Sequence, residues 1–206
     1  MNSWQKIVVK NSSKNIKFVA KILRHIKLNL KNPTELTEFY RSLQIDYPKF
    51  FKMDNLSKLG FLASEMIFKD DENRFLPREN IAVVCFNRSS SLETDTQYQA
   101  TIGNNEDYFP SPSLFVYTLP NIVIGEIAIR NNFLGETFFY ICKKFDARQI
   151  IETVRKTFYD QTTTTVLAAW IECFEDKLEV FMFLVDKNAE QDIAFTEENL
   201  MKLYKN

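Results

Sequence analysis

The stretch from Leu119 to Lys144, LPNIVIGEIAIRNNFLGETFFYICKK, limits the possible fold more than any other part of the chain. It reads as a helix with small residues on one face, a glycine turn, and an apolar run ending at a polar corner. Gly125 and Ala128 are three residues apart and share a helical face that another backbone could approach, and Asn121 after Pro120 is a helix-starting residue. Gly135 ends the connection. The run from Phe138 to Cys142 is apolar without alternation, which predicts a strand buried on both faces. Corners after such strands are frequent places for an active site.

The rest of the chain fits around this stretch as alternating strands and helices. Trp4 to Val9 reads as a short strand and Asn11 to Lys14 as a polar turn. Ile16, Val19, Ile22, Leu23 and Ile26 fall at helical spacing among basic residues, predicting a basic amphipathic helix to about Leu28 that carries the lone His25. A second helix opens at Thr34 and runs to Leu43. Asn55 to Phe68 carries an apolar stripe with Gly60 as a close-approach point, predicting a core helix. Ile81 to Phe86 reads as a buried strand, followed by a polar turn at Ser89 to Ser91 and a helix over Leu92 to Ile102. Gly103 to Ser113 reads as a loop, Asp146 to Phe158 as a helix, and Val166 to Cys173 with Leu178 to Val185 as a hairpin of buried strands. A final helix runs from Thr196 to Tyr204. The pattern predicts an α/β fold, five or so strands in a mixed, mostly parallel sheet with helices on both faces, as a single domain over residues 1–206.

Composition narrows the function classes. With 45% hydrophobic and 14% aromatic residues the chain can bury a substantial core. Lys plus Arg is 26 against 27 acids, so the overall balance gives no case for nucleic-acid binding. The basic residues Lys10, Lys14, Lys17, Lys21, Arg24, Lys27 and Lys31 nevertheless occupy one stretch without an acid, making the N-terminal region locally cationic. The 3 cysteines, Cys85, Cys142 and Cys173, are odd in number and sit in apolar runs, which fits free thiols in a reducing compartment. No stretch approaches the roughly 18 apolar residues needed to cross a bilayer, and the N-terminus lacks a signal-peptide core, so the expectation is a cytoplasmic protein. None of the 4 glycines lies in a GxGxxG or GxxxxGK pattern, and no metal site or cofactor is expected.

From Asp46 to Glu172 the order of features resembles the N-terminal half of a β-ketoacyl-acyl carrier protein synthase of the thiolase superfamily. NLSKLGFLASEMI resembles the family's early helix, and NIAVVCFNRSSS its strand leading to a short polar turn. FPSPSLFVYTLPNIVIGEIAIRNNFLGE resembles its segment with Pro-Asn, a Gly four residues later, and the Gly before the nucleophile strand. The resemblance implies a thiolase-like half domain, with a divergent basic region over about residues 1–45.

What the resemblance implies for chemistry fails at the first residue. Family synthases place a Cys where the nucleophile strand turns into a buried helix, so that the helix N-terminus lowers the thiol pKa and backbone N–H groups hold the oxyanion. Counting forward from Gly135 and back from Glu172 both put Lys144 there, and a lysine cannot carry an acyl thioester. Cys142 lies two residues earlier, inside the strand, where a packed core thiol is the simpler reading. The family also needs His or Asn residues from its C-terminal half, and the only histidine here is His25, outside the matched region.

The expectation is therefore a truncated, catalytically silent ketosynthase-like subunit, similar to a chain length factor, in fatty-acid or polyketide-type biosynthesis such as aryl polyene pathways. Family protomers pair through the nucleophile strand, which makes Phe138 to Cys142 an edge in the monomer. Asn121, Gly125, Phe138, Phe139, Tyr140 and Ile141 are then interface residues, and the partner is a full-length β-ketoacyl synthase or a second copy. Lys17, Lys21 and Arg24 are candidate contacts for an acidic acyl carrier protein, against the plainer reading of a solvated face. Two alternatives stay open: an acyltransferase or thioesterase-like enzyme using Cys142 with His25 brought near, and a homodimeric scaffold or ligand-binding protein.

Overall fold

A computed structural model of the chain describes residues 20–103, 108–175 and 177–206. The expected strand at Trp4 to Val9, the turn after it, and the start of the basic segment with Lys17 lie outside the described residues. In chain order the elements are β1 (Lys21–Leu30), α1 (Pro33–Ser42), a short 3-10 turn (Pro48–Lys52), α2 (Asn55–Ile67), β2 (Ile81–Asn87), α3 (Leu92–Ile102), α4 (Pro112–Tyr117) and α5 (Ile122–Asn131). Then come β3 (Thr137–Ile141), α6 (Ala147–Thr157), β4 (Thr165–Phe174), β5 (Lys177–Asp186), β6 (Ile193–Ala194) and α7 (Glu197–Lys205).

The strands form one six-stranded mixed sheet in the order β3-β2-β4-β5-β1-β6. Strand β2 pairs parallel with both β3 and β4, and β5 pairs antiparallel with β4 and β1. The sixth strand, beyond the five expected, is the two-residue β6, which pairs with the start of β1. Because β2, β4 and β5 are covered on both faces, their sequences are near-continuous apolar runs.

One core lies where α2 and α5 pack on the sheet, built from residues such as Leu59, Leu62, Ile127, Leu167 and Met182. The other lies under α6 and α7, around Val84, Trp170, Phe181 and Phe183. Gly60 is the close-approach point on α2: a Cβ there would meet Val123 Cγ2 at 2.5 Å. Helix starts follow local chemistry. Asp54 accepts from the Ser57 amide at 2.9 Å, Asp146 from Gln149 and Thr196 from Asn199, each answering an amide left without an intrahelical partner.

Four sequence expectations are corrected. The predicted basic helix is a strand from Lys21 onward. His25, Lys27 and Asn29 alternate with Ile26, Leu28 and Leu30, a period of two that pairs with β5. A register shift between Ile22 and Arg24 moves Ile22 to the other core, and this irregularity produced the misleading helical spacing. Second, β3 is not buried on both faces: it is an edge, with Phe138 and Phe139 half-buried and Tyr140 and Ile141 exposed. The apolar run was legible, but apolar character alone does not separate a central strand from an edge awaiting a neighbour. Third, part of the expected loop and its continuation is α4, which starts at Pro112 because proline suits the first helical position. Fourth, Asn121 precedes α5 in a helical conformation and makes no side-chain cap.

Candidate functional site

The three parallel strands β2, β3 and β4 end together, and this edge of the sheet is where open α/β sheets place their ligands. Each end carries a polar group: the turn Asn87 to Ser91, the corner Cys142 to Lys144, and Glu172 with Cys173. The backbone register puts Asn87 opposite Ile141, so Arg88, Cys142 and Glu172 lie at one level just beyond.

Glu172 is buried, and both of its oxygens are engaged. One accepts from the Arg88 amide at 2.9 Å and the other from the Ser89 amide at 3.2 Å and the Ser89 hydroxyl. Asn87 closes the same turn from within, donating to the Ser90 carbonyl at 2.8 Å and accepting from the Ser90 amide at 3.0 Å. Glu172 therefore straps the turn to β4, with three of its roughly four acceptor sites engaged by that turn.

The corner after β3 has the expected strand-to-helix shape and carries two lysines. Lys143 and Lys144 are exposed, and α6 begins directly after, as a nucleophile-strand-to-helix turn would. The helix N-terminus is already answered by Asp146, whose carboxylate accepts from Gln149 and places negative charge where an oxyanion would need donors. Cys142 is half-buried and its amide donates to the Asn87 carbonyl at 2.7 Å. Its thiol is held above the ordinary range, by burial first and the charge of Asp146 second, with a Gln149 side-chain hydrogen bond opposing. That is the reverse of an activated nucleophile. Cys85 is fully buried and pushed up to about 12 by burial.

His25 cannot complete a Cys142 site. It is exposed on β1, and β2, β4 and β5 lie between β1 and β3. Four strand spacings put the two backbones roughly 19 Å apart. Among the described residues no group of three or more His, Cys, Asp and Glu is placed to hold a metal ion, and no helix is long and apolar enough to cross a membrane.

The basic residues of β1 have structural partners. Arg24 donates to the Ile67 carbonyl at the end of α2 at 2.9 Å, and Lys27 donates to the Tyr204 carbonyl near the end of α7. Each cation thus answers a helix C-terminus, one on each face of the sheet. Lys21 is half-buried. These residues sit far across the sheet from the Lys144 corner, so the structure does not bring the two sets together.

The residues singled out for an interface are placed more coherently. Among the described residues nothing pairs with the outer side of β3. The Glu136 carbonyl and the Cys142 amide both turn toward β2, so alternation directs the backbone groups of Phe139 and Ile141 outward. Ile141 is 61% exposed, and Ile129 and Leu134 add exposed apolar surface on the neighbouring α5 and the turn into β3. Asn121 is exposed at the start of α5, and a Cβ on Gly125 would meet nothing within 4 Å, so that face of the helix is open.

Sequence reasoning missed a polar cluster between the start of α2, α3 and the end of β4. Thr94 donates to Asp54 at 2.9 Å, Asn55 to Glu93 at 2.7 Å and the Cys173 thiol to Glu93 at 2.6 Å. Glu65 is also buried, between Arg74 and Arg130. The available signal was an acid inside an apolar helix or strand, as at Glu65 and Glu172, since such a group must find partners.

No protein-family model and no curated protein sequence matches the chain. Solved structures match it in fold. The ishigamide ketosynthase/chain length factor superposes with a TM-score of 0.68 at 16% identity, over 84% of this chain and 64% of that one. A chain of the ketosynthase ApeO in complex with its chain length factor ApeC, from Xenorhabdus doucetiae, gives 0.58 at 12%, over 92% and 91%. The type II polyketide synthase complex AntDE:AntF, an acyl-carrier protein with its ketosynthase, gives 0.54 at 10%, over 82% and 62%. The chain thus spans less than two thirds of the ishigamide protein, and at these identities the likeness is one of fold. That fold is the thiolase-like α/β fold of the ketosynthase and chain length factor proteins.

Proposed function

We propose that this chain is a non-catalytic, ketosynthase-like partner subunit that pairs through β3 with a β-ketoacyl synthase, in the manner of a chain length factor. The observation that carries the reading is the open edge of β3, an apolar strand whose outward backbone groups lack a partner among the described residues. An exposed apolar edge of this kind invites pairing. Proteins of the same fold include ketosynthases named together with chain length factors. The proposed role is to complete the dimer and shape the acyl tunnel at the interface in a fatty-acid or polyketide-type system, aryl polyene synthesis being the class the sequence resemblance favours.

The non-catalytic part of the proposal rests on the corner. Lys144 stands where the resemblance puts the nucleophile, Asp146 occupies the helix N-terminus, and the Cys142 thiol is held in its neutral form. An acyltransferase using Cys142 with His25 has no support in this geometry.

Tandem purification after co-expression with a β-ketoacyl synthase tests the pairing. A mixed complex with one copy of each chain is expected, and recovery of this chain only as a homodimer or monomer would overturn it. Incubation with an acyl-carrier thioester should leave the intact mass unchanged; an added acyl group that disappears in Cys142→Ala would overturn the non-catalytic part.

A further inference from the structure

We propose that α3 and α4 together form a lid that opens as a unit above a polar cavity, held shut by a latch centred on Asp54 and Glu93. The two helices are tied to each other. The Tyr98 and Phe115 rings meet at 5.5 Å, the Phe109 amide donates to the Thr101 carbonyl at 3.0 Å, and the Ser91 hydroxyl donates to the Thr118 carbonyl at 2.6 Å. Their hold on the rest of the molecule is of a different kind. Thr94 is the buried residue of α3 and Tyr117 that of α4, whereas most of α2 is buried. Little apolar surface is therefore lost to water when the pair lifts.

What fixes the lid is polar. Thr94 donates to Asp54, Asn55 and Cys173 donate to Glu93, and Tyr117 donates to Glu126 at 3.0 Å. Water replaces most of each such hydrogen bond on opening, so the latch holds the lid only modestly and each bond lost makes opening easier. Water also has a place to start. A cavity of about 140 Å³ lies between the two parts, lined by Lys52, Asp54 and Lys58 below and by Gln97, Ser113 and Tyr117 on the lid. Lys58 is half-buried there, with its ammonium group 5.9 Å from the centroid of the Phe50 ring.

The three cysteines report on this motion. Cys142 is half-buried and should react with a small maleimide first. Cys173 is 2% exposed and bonded to Glu93 of the lid, so it becomes reactive when the lid opens. Cys85 lies fully buried in β2 and reacts only on global unfolding. Labelling the intact chain and locating the adducts by mass spectrometry should give Cys173 a rate well above that of Cys85 and nearly flat in low urea, because local opening exposes little surface. In Thr94→Val, Cys173 labelling should rise about tenfold while Cys85 stays within about twofold. Equal rates and equal urea slopes for Cys173 and Cys85 would overturn the proposal. The comparison within the unmodified chain decides the matter even if the variant does not fold.

Discussion

Glu172 shows how a single side chain can organise a corner. Its two oxygens hold two backbone amides and a hydroxyl, so Glu172→Ala leaves those donors buried without acceptors and should lower stability by about 3 kcal/mol in urea unfolding. Gly135 makes an equally local demand: a Cβ there would sit 2.3 Å from the Ile81 carbonyl oxygen and 2.9 Å from that of Glu79. Backbone cannot yield as the Val123 side chain can at Gly60. Gly135→Ala should therefore cost about 3 kcal/mol and Gly60→Ala about half that, both by thermal or urea unfolding. Both glycines were legible in the sequence, one as a turn and one as a close approach. The strap was not, because a carboxylate inside an apolar strand announces that it needs partners without saying which. Asp54 adds a pH dependence. Burial raises its pKa, ahead of the hydrogen bonds from Ser57 and Thr94 that lower it. The folded state holds this proton more tightly than the unfolded chain, whose carboxyl titrates near 3.8, so the charged form costs stability above the raised pKa and the cost fades as pH falls through it. The stability of the wild type relative to Asp54→Asn should thus improve as pH falls through the raised pKa toward 3.8, as read from urea midpoints.

At the scale of elements, β1 and β3 are informative because each was misread for a definite reason. In β1 one irregularity between Ile22 and Arg24 mimicked helical spacing, and only the pairing with β5 exposes the alternation that follows. The basic side chains there were read as a surface feature, and two of them serve as caps for helices on opposite faces. In β3 the apolar run suggested complete burial, while the family resemblance implied an edge, and the structure has the edge. The central strands and the helices from α2 to α7 needed no such correction of type, except at α4, because long runs with clear period and capping residues carry their own assignment. The edge position supplies a direct prediction. Ile141→Lys places a charge on exposed strand and should change the stability of the isolated chain by no more than about 0.5 kcal/mol. It should nonetheless abolish co-purification with a β-ketoacyl synthase, since edge lysines block strand pairing.

The whole molecule joins two well-filled cores through one sheet whose two edges differ in character. On the far side the two-residue β6 pairs only with Lys21 and Ile22, and among the described residues the rest of β1 has no outer strand partner; that stretch carries Arg24, His25 and Lys27, charged and polar residues of the kind that blunt an edge. On the β3 side the sheet stops at an apolar strand flanked by the exposed Ile129 and Leu134. The fold class was readable from the order of strands and helices, whereas the open edge is a property of strand order, which no local pattern encodes. Hydrogen exchange on β3 decides whether that edge is the pairing surface, comparing the chain alone with the chain mixed with a β-ketoacyl synthase. The outward amides of Phe139 and Ile141 should gain protection in the mixture while β6 stays unchanged. Protection confined to other elements, or none at all in a mixture shown to contain a complex, would contradict it.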